Sequence, residues 1–227
     1  MTKKIKWLII ISVIIFIFDN ILLCMLYFNQ PVNEKTLYNN ALEKTVEIRC
    51  TNDGVNYGYA TGAVIAKNGT ILTNKHVVMA NEDYFDLIQV RFYNDSDFQD
   101  AHIVKVSESN DLALISIDKN VSSYFKLGKS VQGGEKIYTI GNPNGFGLSF
   151  SGGYISSPQR IVLYENTKIN AIQTSIVINE GNSGGPLFNQ KGELIGLISF
   201  RLRDSGGEVI QAVSFALHLD VIKNFLA

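Results

Sequence analysis

The stretch Glu180-Gly181-Asn182-Ser183-Gly184-Gly185-Pro186-Leu187-Phe188-Asn189-Gln190-Lys191-Gly192-Glu193-Leu194-Ile195-Gly196-Leu197-Ile198 carries both a chemistry and an architecture. Ser183 stands between glycines. Such neighbours let backbone N–H groups converge on a substrate carbonyl and take dihedrals that other residues resist. Beyond Pro186 the sequence predicts a strand, a tight turn at Gly192 and a second strand, with no helix following the serine. Ser183 is therefore a candidate nucleophile presented from a β-rich frame.

A serine hydroxyl needs a base and a group that orients the base. The chain holds three histidines. His102 lies in an alternating stretch and is expected as a half-exposed strand residue, and His218 as a helix-start residue. His76 differs, because residues 61 to 74 form two strands joined by an Asn68-Gly69 turn that delivers it just beyond a strand end. Asp111 opens the apolar run Leu112-Ala113-Leu114-Ile115, so its carboxylate is anchored where an orienting acid must be rigid.

Thr73-Asn74-Lys75-His76-Val77-Val78, Asn110-Asp111-Leu112-Ala113-Leu114 and Gly181-Asn182-Ser183-Gly184-Gly185-Pro186 together resemble the triad motifs of trypsin-like serine proteases, in the order His, Asp, Ser. Ile140-Gly141-Asn142-Pro143, Ile172-Gln173-Thr174 and Val213-Ser214-Phe215-Ala216 bring the likeness closest to the bacterial HtrA (DegP/DegS) family, over roughly residues 41 to 227. The resemblance implies an all-β fold of two six-stranded antiparallel barrels, residues 41–126 and 127–215, with a closing helix at 217–226. It implies a catalytic triad of His76, Asp111 and Ser183, and an oxyanion hole from Gly181, Asn182 and Ser183. It also implies a substrate pocket from Ile178, Ser199, Phe200, Arg201 and Leu202, with Val177 at its floor. Polypeptide substrates are the expected partners, a homotrimer is a property of the family, and no PDZ domain is read after the closing helix. Activity should rise with pH through the ordinary imidazole range near 6.5.

Two alternatives are weighed. Gly181-Asn182-Ser183-Gly184-Gly185 also fits the elbow of α/β-hydrolases, but that fold requires a helix where Pro186 to Ile198 reads as strand, turn and strand. A protease-like module that only binds extended peptides would keep the fold without turnover.

Residues 1–6 form a basic tail, and Trp7 to Phe28 is long and apolar enough for one membrane span. Asp19 costs about 2.5 to 3.5 kcal/mol there, which the many Leu, Ile, Phe and Val residues offset. Lys3, Lys4 and Lys6 place the N-terminus in the cytoplasm and the protease outside. No small-residue cleavage site follows, so the segment is expected as an uncleaved signal anchor, joined by a linker at 29–40 to the domain at 41–227. Cys24 is expected as a membrane-buried thiol and Cys50 as a buried strand residue without a disulfide partner. A net charge of −1 gives no reason to invoke nucleic acid, and no Cys/His cluster has zinc-ligand spacing, so no cofactor or metal is expected.

Overall fold

The computed structural model describes residues 2–28, 33–80, 83–164 and 167–227. It contains two compact units, residues 1–33 and residues 34–227. The first is a single helix, α1 (Lys3–Phe28), apolar around its whole circumference and exposed as far as Leu23. Residues 29–32 of the expected linker, and the Cys24 side chain, lie outside the described residues.

The second unit opens with α2 (Glu34–Leu42), whose Leu37, Ala41 and Leu42 are buried. Strands β1 (Thr45–Asn52), β2 (Val55–Val64) and β3 (Thr70–Thr73) follow, then the short helix α3 (Lys75–Val78). A small hairpin, β4 (Met79–Ala80) with β5 (Asp83–Tyr84), precedes β6 (Leu87–Phe92), β7 (Gln99–Val106) and β8 (Ala113–Ser116). These close a barrel in the order β1-β2-β3-β8-β7-β6.

Strands β9 (Lys136–Gly141), β10 (Ser149–Tyr164), β11 (Thr167–Thr174), β12 (Pro186–Asn189), β13 (Leu194–Arg203) and β14 (Val209–His218) close a second in the order β10-β11-β14-β13-β12-β9. Every strand pairing within the two six-stranded barrels is antiparallel, as the sequence led us to expect. Helix α4 (Leu219–Leu226) closes the unit. The last strand runs further than expected, through Leu217, which pairs with Ala171 and Leu197. His218 then caps the helix, its Nδ1 accepting the Asp220 N–H at 3.1 Å.

Strand alternation sorts the apolar residues into three clusters. Val46, Ile48, Val64, Ile71 and Ile115 fill the first barrel. Ile137, Ile155, Ile172, Leu187 and Ile198 fill the second. Between the barrels lies a third layer, where Leu72 and Leu114 of the first meet Tyr138, Phe188, Phe200 and Phe215 of the second. Helices α2 and α4 add Leu37, Ile222 and Phe225 to this layer. Cys50 is buried and free of any disulfide, as expected, and burial pushes its thiol up to about 12.

Candidate active site

The strand β3 ends at Thr73, and the single-turn helix α3 behind it turns His76 into a cleft of about 610 Å³ between the barrels. Asp111 lies two residues before β8, and Leu112 between them is fully buried and fixes the backbone. The His76 Nδ1 faces both Asp111 carboxylate oxygens, at 3.0 and 2.9 Å. The His76 backbone N–H also donates to Oδ1 at 3.0 Å, and Ser199 Oγ donates to Oδ2 at 2.7 Å. Asn74 Nδ2 donates to the Asp111 carbonyl at 2.9 Å, so backbone and side chain of this acid are both tied down. A carboxylate can only accept, so Nδ1 carries the hydrogen in this pair and Nε2 is left as the basic nitrogen.

Ser183 enters the same cleft from the loop between β11 and β12. Its Oγ points at the Ser199 carbonyl at 3.4 Å, and its own carbonyl accepts the Thr61 N–H at 2.9 Å. Thr61 Oγ1 donates to the Gly181 carbonyl at 2.7 Å, so strand β2 of the first barrel grips the serine loop at two carbonyls. The loop itself is a tight turn in which Asn182 N–H donates to the Asn179 carbonyl at 3.1 Å. Gly181 occupies its third position with φ of 92°, the left-handed region that glycine adopts without strain. A Cβ there would come within 2.0 Å of the Asn142 carbonyl oxygen. The backbone N–H groups of Gly181 and Ser183 donate to no acceptor among the described residues.

The substrate-pocket residues divide. Ile178, Ser199, Phe200 and Arg201 line the cleft, whereas Leu202 packs against the inter-barrel layer. The register of β13 against β14 shifts on both sides of Phe200–Arg201, and Arg201 faces the cleft. In the irregular segment after β11, Ile176 and Ile178 are buried, while Val177, expected at the pocket floor, is exposed outside the cleft. The Arg201 guanidinium donates to the Ile178 carbonyl at 3.2 Å and the Asn179 Oδ1 at 3.4 Å, strapping β13 to the serine turn. Thr167 and Ile169 of β11 also line the cleft. They lie on the same strand as the Ile172-Gln173-Thr174 motif, at its other end.

A two-barrel fold with His, Asp and Ser in the cleft between barrels defines a trypsin-like peptidase domain. The profile of that family matches residues 60–197, and the chain belongs to it. Its relatives are of the HtrA kind. A DegP-like periplasmic serine endoprotease of Hahella chejuensis is 37% identical over 163 residues, which is 71% of this chain and 33% of the relative. The mitochondrial serine protease HTRA2 of Drosophila virilis is 39% identical over 171 residues, 73% of this chain and 38% of its own. The chain thus spans between 33% and 38% of these relatives' length. Among solved structures, the serine endoprotease of Yersinia pestis aligns with a TM-score of 0.72 at 26% identity, covering 87% of this chain and 66% of that one. The HtrA-type protease AlgW, solved with a tripeptide, aligns at 0.73 with 29% identity, covering 84% and 61%.

Proposed function

We propose that this chain is a membrane-anchored, extracytoplasmic serine endopeptidase that works through His76, Asp111 and Ser183. The observation that carries the reading is the Asp111 carboxylate, gripped by His76 Nδ1, the His76 backbone and Ser199 in the cleft that also holds the Ser183 hydroxyl.

In this reading His76 Nε2 takes the Ser183 proton as Oγ bonds to the scissile carbonyl carbon, whose π electrons move onto oxygen. The N–H groups of Gly181 and Ser183, turned by Asn182, hold that oxyanion. Collapse of the tetrahedral species breaks the C–N bond, and the imidazolium gives its proton to the departing amine. Water then enters, surrenders a proton to His76, and releases the acid and the free serine. Asp111 stays ionised throughout and steadies the imidazolium.

The apolar walls Ile169, Ile178 and Phe200 favour a small or medium aliphatic P1 side chain, and residues 199–202 offer a strand edge on which an extended peptide can pair. Helix α1 is the anchor: it is apolar all round and long enough to span, with Lys3, Lys4 and Lys6 on the cytoplasmic side. Envelope proteins are the substrates this placement favours, and the periplasmic naming of the DegP-like relatives supports it. A homotrimer is the assembly to look for, by light scattering of the detergent-solubilised chain.

The test is labelling of the full chain in detergent with a fluorophosphonate probe, beside Ser183→Ala and His76→Ala. Labelling of the wild type alone is expected. A folded wild type that stays unlabelled would sink the reading of a competent enzyme.

A further inference from the structure

We propose that Glu47 is a positioning residue for the serine turn, acting across the barrel interface through Asn142; this rests on the peptidase reading above. Glu47 lies in β1, in register with Thr61 of β2 and Arg91 of β6. Val46 and Ile48 on either side fill the first barrel, so alternation puts Glu47 on the outer surface, which here is covered. Only 5% of the residue is exposed.

A buried carboxylate needs partners. Arg91 supplies Nε and Nη2 to Oε1 at 3.2 and 3.1 Å, and Nη2 to Oε2 at 3.2 Å. The remaining contact crosses to the second barrel, where Asn142 Nδ2 donates to Glu47 Oε2 at 2.8 Å. Asn142 is fully buried, and its Oδ1 accepts the Gly147 N–H at 2.7 Å. A carboxylate accepts and a backbone N–H donates, so the amide can sit only one way round, and it closes the loop 142–147 on itself.

That loop holds the serine turn. The Asn144 N–H donates to the Glu180 carbonyl at 2.8 Å. In a trans peptide the N–H points away from the C=O. With the Glu180 oxygen fastened to the loop, the Gly181 N–H is therefore turned to the opposite side, as an oxyanion donor must be. Rotation of this one peptide plane would remove the donor, and glycine offers little resistance to it. Three links, Glu47 to Asn142, Asn142 to Gly147, and Asn144 to Glu180, oppose that rotation. An apolar pair in place of Glu47 and Arg91 would serve stability equally well. The network's distinctive product is the loop's placement.

The test uses the full chain in detergent and two double variants. Glu47→Leu with Arg91→Met removes the carboxylate and leaves no stranded cation. Glu47→Gln with Arg91→Met restores an oxygen for the Asn142 amide. Hydrolysis of a fluorogenic peptide with valine at P1 gives kcat and KM separately, and hydrogen exchange by mass spectrometry reads residues 142–147. We expect the Leu variant to melt near the wild type, lose tenfold or more in kcat with KM within about twofold, and exchange faster in the loop. The Gln variant should recover most of both. Retention of kcat and loop protection by a folded Leu variant would overturn the proposal. Should that variant not fold, Asn142→Ala cuts the same bond from the loop side and is judged by the same readouts. A wild type that neither cleaves the peptide nor takes the fluorophosphonate would fail the peptidase reading. Loop exchange would still decide the coupling to Glu47.

Discussion

The interiors of the two barrels and the layer between them are built from different side chains. Inside, both are aliphatic and largely β-branched: Val46, Ile48 and Ile71 in one, Ile137, Ile172 and Ile198 in the other. The layer between them also holds aromatic rings, and the stacked ones are carried by strands of the second barrel, facing Leu72 and Leu114 of the first. Tyr138 stacks on Phe150 and Phe188 with ring centroids at 5.2 and 5.9 Å, and Phe200 stacks on Phe215 at 5.1 Å. A closed six-stranded barrel leaves a narrow, regular interior that stiff branched residues fill without losing much rotamer freedom. The outer face of the second barrel presents large flat rings toward the first, and these stack on one another. The candidate site lies at the edge of the aromatic layer, so its geometry depends on how the barrels meet as well as on how each is packed.

The widest effect expected across this divide comes from Asp111→Asn. It keeps the shape of a group from the first barrel but removes the charge that fixes the His76 tautomer, and kcat should fall by about 10⁴-fold with the melting temperature little changed. Phe188→Ala, in the inter-barrel layer, should cost about 3 to 5 kcal/mol in denaturant unfolding, against about 0.5 to 1.5 for Ile48→Val inside the first barrel. Equal costs would mean the aromatic layer is no better packed than a rim. On the second-barrel side of the cleft, Gly181→Ala meets both the positive φ and the Asn142 carbonyl. A kcat loss of about 10² to 10³ should follow, with the protein still folded by circular dichroism.

The smallest effect concerns the cap of α4. Burial holds the His218 imidazole below its ordinary range. The unfolded chain therefore takes up the proton first. This contribution to stability is complete above about pH 6.5 and is lost as pH falls toward the folded-state value. His218→Ala should cost about 1 kcal/mol at pH 8 and less at pH 5 in thermal melts, while His218→Asn should cap without the pH dependence.

Motif reading reached the parts of the site that are local in sequence. His76 beyond its strand, Asp111 before its apolar run and the glycines around Ser183 each announce themselves through neighbours. Thr61, Glu47, Thr167 and Ile169 reach the site through strand register and the barrel interface, and Asn142, though inside the Ile140-Gly141-Asn142-Pro143 motif, meets a partner that the motif does not name. Val177 and Leu202 show a smaller failure of the same kind. Leu202 turns from the cleft through the register of β13, and Val177 lies in the irregular segment after β11, whose course no local pattern gives.

Helix α4 reaches back to the first barrel: Lys105 Nζ donates to the Phe225 carbonyl at 2.6 Å and lies 4.9 Å from the Phe225 ring. In the order of synthesis this strap comes after His76, Asp111 and Ser183, so it is added to barrels that Thr61, Glu47 and Asn142 can already join.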